Sequence, residues 1–240
     1  MINVSVNGAL GRMGLTVCQA VLGDTKTELI ESLDINSNND KTLNSKPIFN
    51  DLSKFLSEIQ PYVIVDFTNR ESFMILCELA IPKGIRIVSG STGLLDEDYK
   101  KIKKLCSDNN IGVLSASNFA IGAILMMELA SIAGKYFDYA DLIESHHEKK
   151  IDAPSGTAIS IAEAASSKKD QKYKQNIAEK QTIKNTRGGD LQGVQIHSAR
   201  MPGRVARHEL VFGGLGQTFT MIHDSIDRNC LLYTSDAADE

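Results

Sequence analysis

The densest chemistry in this 240-residue chain is the run Glu144-Ser145-His146-His147-Glu148-Lys149-Lys150-Ile151-Asp152-Ala153-Pro154-Ser155-Gly156-Thr157-Ala158. Two adjacent histidines end an apolar strand, a lysine stands four residues beyond the first, and Ser-Gly-Thr opens a helix. His146 can give or take a proton near neutral pH, and Lys150 can hold a carboxylate or supply a proton. Ser155, Gly156 and Thr157 add hydroxyls to the unpaired N–H groups of a helix start, which suits a carboxylate. Each residue alone fits a solvated basic loop and an ordinary helix cap; together they fit acid–base work on an anionic substrate. Metal binding through His146 or His147 is the competing chemistry. Adjacent histidines on a strand point in different directions, and no cysteine or other partner has ligand spacing, so no metal is expected.

A second constellation lies at the start of the chain. Gly8-Ala9-Leu10-Gly11-Arg12-Met13-Gly14 follows a strand and opens a helix. Glycines there let the backbone turn tightly and approach a pyrophosphate held on helix N-terminal N–H groups. The spacing is GxxGxxG, which an ordinary strand–turn–helix cluster would also satisfy. Asp34 stands 20 residues after Gly14 at the end of an apolar run, where a carboxylate binds ribose hydroxyls. A carboxylate repels a 2′-phosphate, Ile35 follows it, and no Lys or Arg comes before Lys41. These residues predict dinucleotide binding, with NADH preferred over NADPH.

Elements that could hold these groups are legible in the pattern. Strands are expected at Ile2–Val6, Glu28–Asp34, Tyr62–Asp66, Ile85–Val88 and Ile111–Leu114, with helices at 12–22, 71–81 and 96–107. That alternation predicts βαβ units in a parallel, doubly wound sheet. Beyond a boundary near Asn118 the pattern changes to α+β, with a long apolar helix over 120–137, a strand over 141–146 and a helix over 157–165. A polar, Lys-rich loop or hairpin insertion then spans 167–190, and strands follow at 194–198, 205–212 and 217–223. The expected domains are therefore 1–118 for dinucleotide binding and 119–229 for substrate and subunit contacts.

Composition narrows the classes. With 26 Lys+Arg, 30 Asp+Glu and a formal charge of −4, the chain is neither a basic nucleic-acid binder nor a disordered one. No window approaches about 18 consecutive apolar residues, so no membrane span is expected. The N-terminus lacks a basic region before its first strand, which predicts no signal peptide. Cys18, Cys77, Cys106 and Cys230 have no CxxC spacing, which argues against disulfide frameworks and zinc. The expectation is a soluble, cytosolic, globular protein.

The motifs, taken in order, resemble the 4-hydroxy-tetrahydrodipicolinate reductase (dihydrodipicolinate reductase) family of diaminopimelate and lysine biosynthesis. The resemblance rests on the glycine loop, Asp66-Phe67-Thr68, Gly90-Ser91-Thr92-Gly93, Ser117-Asn118-Phe119-Ala120-Ile121-Gly122 and the His146–Ala158 segment. Arg187-Gly188-Gly189, His197 through Gly203 and His223-Asp224-Ser225 extend it. It implies a Rossmann-type domain followed by an α+β substrate and oligomerisation domain. It also implies NADH or NADPH as cofactor, a small dicarboxylate substrate, and a homotetramer assembled through the second domain. His146 then matches the proton donor or acceptor, and Lys150 a second proton donor and substrate ligand. His147, Ser155, Gly156 and Thr157 match substrate positions. Gly8, Ala9, Leu10, Gly11, Arg12 and Met13 match the pyrophosphate loop, and Asp34 the ribose-binding acid. Gly90, Ser91 and Thr92, with Ala116, Ser117, Asn118 and Phe119, match segments lining the nicotinamide. Ser91 stands where threonine is common, and Glu148 and Lys149 where basic residues are common.

The family pattern holds through Arg228. Relatives would continue through a glycine-containing segment into a final helix, whereas Cys230 to Glu240 resembles the conceptual translation of a transposase-type sequencing adaptor. Native sequence is therefore expected to end near Asn229 in a truncated gene model. Two other functions compete: another two-domain NAD(P)-dependent dehydrogenase, and a non-catalytic dinucleotide-binding fragment. An acylating aldehyde dehydrogenase would need a cysteine beside a base, and none of the cysteines before residue 229 sits in such a motif.

Overall fold

The computed structural model describes residues 1–38, 41–175, 178–184 and 186–227. The expected foreign tail at 230–240 lies outside them. The chain divides between Ser117 and Asn118 into two units.

The first unit runs β1 (Ile2–Asn7), α1 (Arg12–Gly23), β2 (Thr27–Leu29), β3 (Ser32–Leu33), β4 (Thr42–Leu43), β5 (Lys46–Phe49), α2 (Leu52–Glu58), β6 (Val63–Asp66), α3 (Arg70–Ala80), β7 (Arg86–Ser89), α4 (Asp96–Asn109) and β8 (Val113–Ser115). Its sheet has the order β4-β5-β3-β1-β6-β7-β8, with β2 also on β1. Every pair is parallel except β4 with β5. Apolar runs on the central strands bury Val6, Ile64 and Ile87, as a sheet covered by crossover helices requires. The helices start where side chains can cap them: Asp51 accepts the Lys54 N–H at 2.7 Å and Asn69 the Ser72 N–H at 2.9 Å.

Two details differ from the sequence pattern. The single strand expected over 28–34 is interrupted, because serine hydroxyls replace ladder bonds. Ser5 Oγ donates to the Glu31 carbonyl at 2.6 Å, and Ser32 Oγ accepts the Val6 N–H at 3.3 Å. The stretch between Lys41 and Pro61, which carries no clear period, forms the β4–β5 hairpin and α2. Asn44 and Ser45 turn the hairpin at φ 49° and 62°, a two-residue loop of the kind that matches strand twist.

The second unit runs α5 (Ile121–Ala133), β9 (Tyr139–His146), α6 (Gly156–Ser166), β10 (Gly189–Leu191), β11 (Val194–Arg200), β12 (Ala206–Gly214) and β13 (Gln217–Ser225). The sheet order is β10-β11-β9-β12-β13; β9 and β11 are parallel, the other pairs antiparallel. Ala130, Ala158, Ala162 and Ala165 join Leu142, Leu210 and Phe212 in one core, small helix residues setting the helices close to the strands. The helix expected to reach 137 stops at Ala133 and tightens into a 3-10 turn over Gly134–Tyr136. Gly134 permits this, since a Cβ there would lie 2.1 Å from the Ala165 carbonyl oxygen. The insertion expected at the surface is anchored by Tyr173, which is buried and donates to the same carbonyl at 2.7 Å.

Candidate active site

In the first unit the glycine loop turns directly out of β1. Gly8 has φ +83°, a conformation open to glycine, and a Cβ on Gly14 would lie 1.9 Å from the Gly8 carbonyl oxygen. The N–H groups of Gly8 and Ala9 donate to the Leu33 carbonyl at 2.9 and 3.0 Å. Gly11 is the N-cap of α1 and contributes no side chain to cap it, so this helix start keeps N–H groups for an anion. Gly11 and Arg12 are exposed, and Met13 is half-buried. Asp34 is buried and already serves the loop: Oδ2 accepts the Leu10 N–H at 2.9 Å and Oδ1 the Asn36 N–H at 2.8 Å. The sequence pattern located this acid but not its hold on the glycine loop.

Asp66 is a second buried carboxylate at the ends of β1, β6 and β7. Asn7 Nδ2 and Thr68 Oγ1 donate to Oδ1 at 2.8 and 2.7 Å; Ser89 Oγ and Ser91 Oγ donate to Oδ2 at 2.8 and 2.7 Å. Ser91 Oγ accepts the Thr68 N–H at 3.1 Å, and Ser89 Oγ accepts the Ser91 N–H at 3.1 Å. The chain through Ser89, Gly90 and Ser91 is thus fixed from both sides, with Gly90 against the Phe67 ring. Thr92 and Ser117 are exposed, and Ala116 donates its N–H to the Ser89 carbonyl at 3.0 Å.

The second unit holds the residues expected to do acid–base work. Alternation along β9 puts Ala140, Leu142, Glu144 and His146 on one buried face, so the apolar row ends in a carboxylate and an imidazole. His146 Nδ1 is bonded to Glu144 Oε2, and Glu144 is fully buried. Arg200 grips that carboxylate with both terminal nitrogens, Nη2 to Oε1 at 2.9 Å and Nη1 to Oε2 at 3.1 Å. Register explains the meeting: Arg200 faces His146 across β11 and β9, and His208 faces Glu144 across β12 and β9. Burial works to raise the Glu144 pKa, but bonds from His146, Arg200 and Ser198 outweigh it and bring it to about 2. Burial lowers His208 to about 4, with the charge of His146 acting in the same direction.

The loop after β9 presents the remaining groups. Lys150 Nζ pairs with Asp152 Oδ1 at 2.7 Å. Burial opposes ionisation of Asp152, yet the bond from Lys150 leaves its pKa below the ordinary value. Ser155 caps α6, accepting the Ala158 N–H at 3.1 Å, and lies 3.3 Å from His208 Nε2. Asn118 Nδ2 donates to Thr157 Oγ1 at 3.1 Å and its Oδ1 accepts the Ala120 N–H at 2.8 Å. Asn118, expected beside a nicotinamide, therefore touches a residue expected to bind substrate. Gly156 is half-buried at the start of α6, and His147 and Phe119 are half-buried beside these groups in sequence.

Sequence reasoning missed Glu144, Arg200, His208 and Asp66 as members of these clusters. Glu144 was signalled by its place two residues before His146, whereas Arg200 and His208 emerge only from strand register. Donor atoms of Glu144, His146 and His208 lie within 4.8 Å of one another, which resembles a metal ligand set. Glu144 is committed to three nitrogens, His146 Nδ1 and both terminal nitrogens of Arg200, and the Arg200 guanidinium puts positive charge where a cation would sit. This is the chemistry of a buried carboxylate–guanidinium pair beside two imidazoles. The described cysteines are poor nucleophiles: burial raises Cys18 to about 11 and Cys77 to about 12, and also raises Cys106.

Known proteins match both units. Residues 2–119 match the family model of the dihydrodipicolinate reductase N-terminus, and residues 122–233 that of its C-terminus. The 4-hydroxy-tetrahydrodipicolinate reductase of Syntrophomonas wolfei is 43% identical over 232 residues, covering 94% of this chain and 87% of the relative. That of Geobacillus kaustophilus is 37% identical over 238 residues, covering 96% and 90%. Among solved structures, a dipicolinate-bound dihydrodipicolinate reductase from Paenisporosarcina sp. TG-14 superposes with a TM-score of 0.82 at 34% identity, covering 98% of this chain and 92% of that one. The WlbA dehydrogenase of Thermus thermophilus shares the fold alone, at 11% identity and a TM-score of 0.65, covering 100% and 89%. The Rossmann-type first unit, the sheet of the second and the sequence matches along both agree: the chain belongs to the dihydrodipicolinate reductase family.

Proposed function

We propose that this chain reduces 4-hydroxy-tetrahydrodipicolinate to tetrahydrodipicolinate with NADH or NADPH, in diaminopimelate and lysine biosynthesis. One observation carries the reading: a buried His146, hydrogen-bonded to Glu144, ends the strand whose following loop and helix supply Lys150, Ser155, Gly156 and Thr157. The bound cofactor supplies the hydride, and the glycine loop, Asp34 and the Gly90–Thr92 segment hold it. His146 provides the proton. Lys150 and the N-terminus of α6, with its hydroxyls, hold the substrate's carboxylates.

Asp34 supports a preference for NADH, because its carboxylate stands at the ribose end of the loop with the exposed Ile35 after it. The reaction takes place in the cytoplasm, where reduced nicotinamides are made and spent. The working form is a homotetramer. Its support is the apolar surface on the second unit, where Ile124, Leu125 and Leu129 of α5 and Ile143, Phe219 and Ile222 of the sheet are exposed. A coupled assay with the preceding synthase, following loss of NADH absorbance, tests the function. Synthase-dependent oxidation is the expected result. NADH binding without turnover would instead favour a non-catalytic dinucleotide-binding protein.

A further inference from the structure

A histidine that delivers a proton must present one defined ring nitrogen, and whatever holds the other nitrogen sets that choice. His146 Nδ1 is held by Glu144, and Arg200 holds both oxygens of Glu144. The same Arg200 Nη2 donates to the Asp152 carbonyl at 2.6 Å, and Asp152 pairs with Lys150. One guanidinium therefore ties the strand beneath His146 to the loop that carries Lys150.

We propose that Glu144 and Arg200 are positioning residues of this site: Glu144 accepts the Nδ1 proton of His146, leaving Nε2 to exchange protons with substrate, and Arg200 sets the Glu144 carboxylate and the Lys150 loop in one geometry. An ionised carboxylate is acceptor-only, so with Arg200 in place its bond to Nδ1 requires an Nδ1–H. Ring and charge neighbours from the other elements leave this intact. His208 on β12 meets His146 edge-on at 5.3 Å between ring centroids, and burial keeps it uncharged at neutral pH. Lys150 is engaged by Asp152, and Ser155 by the α6 cap and His208. Arg200 is also irreplaceable by lysine here. Its planar fork makes two bonds to Glu144 and one to Asp152, which a single ammonium cannot reproduce.

The inference rests on His146 as the proton donor, and the experiment separates the two. Nitrogen-15 NMR of the full chain, with His146 assigned by comparison with His146→Gln, reads the ring directly. The expected neutral form carries its proton on Nδ1; a proton on Nε2 overturns the proposal, whatever the variants do. Glu144→Gln, whose amide NH2 turns toward Nδ1 while its oxygen faces Arg200, should switch the tautomer. It should also lower kcat by about 100- to 10,000-fold, with KM for NADH unchanged. Arg200→Lys should lower kcat by about tenfold or more with the same tautomer. Wild-type kcat in both variants, with NADH still bound, also overturns it. A wild-type chain with the Nδ1–H ring and no turnover would refute the functional reading alone.

Discussion

Ser91 Oγ donates to Asp66 at 2.7 Å while accepting the Thr68 N–H at 3.1 Å, so one hydroxyl joins the ends of two strands to one carboxylate. Asp66 makes no ion pair among the described residues; four neutral side-chain donors satisfy its two oxygens instead. A truncation would take this acceptor from all four, leaving Asn7 and Thr68 only long bonds of 3.5 Å to Ser72 Oγ and the Asn69 carbonyl. Asp66→Ala should cost the first unit about 3–5 kcal/mol and weaken NADH binding, because Ser91 and Thr68 lose their common anchor. Asp66→Asn, which keeps one acceptor oxygen, should cost about half as much. Urea unfolding followed by a probe in the first unit, with NADH titration, checks both. Unchanged midpoints would mean the network contributes nothing.

The bonds to Asp34 alter what its removal should do. A pure ribose-binding acid would, on truncation, lose NADH affinity and spare NADPH. Asp34 also holds the glycine loop through the Leu10 N–H and the following turn through Asn36. Asp34→Ala should therefore weaken both cofactors, by about tenfold or more, whereas Asp34→Asn should mainly reduce discrimination between them. Dissociation constants for NADH and NADPH across the three proteins decide it. An alanine variant that binds NADPH as well as the parent would leave the loop role without support.

His146 and Lys150 should separate kinetically. Loss of a general acid lowers kcat, so His146→Ala should lower it by about ten- to ten-thousand-fold with KM for the dicarboxylate little changed. Lys150 is proposed to act on both substrate charge and protons, and Lys150→Ala should show the larger fall in kcat/KM. Steady-state kinetics on purified variants distinguishes the two patterns. Unchanged turnover in the histidine variant would remove it from the mechanism.

The residues of the fold that could be read in the sequence are those whose signal is local. Gly8 to Gly14, the all-apolar strand ending in Asp66 and the Ser155 cap each announce themselves within a few positions. The 28–34 break was hidden because it depends on Ser5 and Ser32 side chains from different strands. The β4–β5 hairpin was hidden because its strands are two and four residues long. Within the site, His146 and Lys150 were visible through residue type and spacing. Arg200 and His208 were not, since only the register of β11 and β12 against β9 brings them to Glu144. No spacing within one segment encodes that pairing.

His208 makes acid stability the most direct test of the buried cluster. Burial lowers its pKa from 6.5 to about 4, and Nδ1 has no partner among the described residues. Between those values the unfolded chain takes up a proton that the folded chain refuses. Stability is then greatest above pH 6.5 and falls as the pH drops toward 4, by up to about 3 kcal/mol from this residue. His223, also lowered by burial, adds to the same decline. Glu144 acts lower: its stabilising ionisation is complete above about 4.5 and is lost as the pH falls toward 2. His208→Gln keeps a polar group opposite Glu144 and near Ser155 without the titration. Its stability should therefore decline less steeply than the parent's between pH 6.5 and 4, and resume a parallel course below 4. Hydrogen exchange of β9 and β12 amides, measured at intervals across that range, reports this unit alone. Parallel profiles above pH 4 would show that His208 is as easily protonated in the fold as in the unfolded chain.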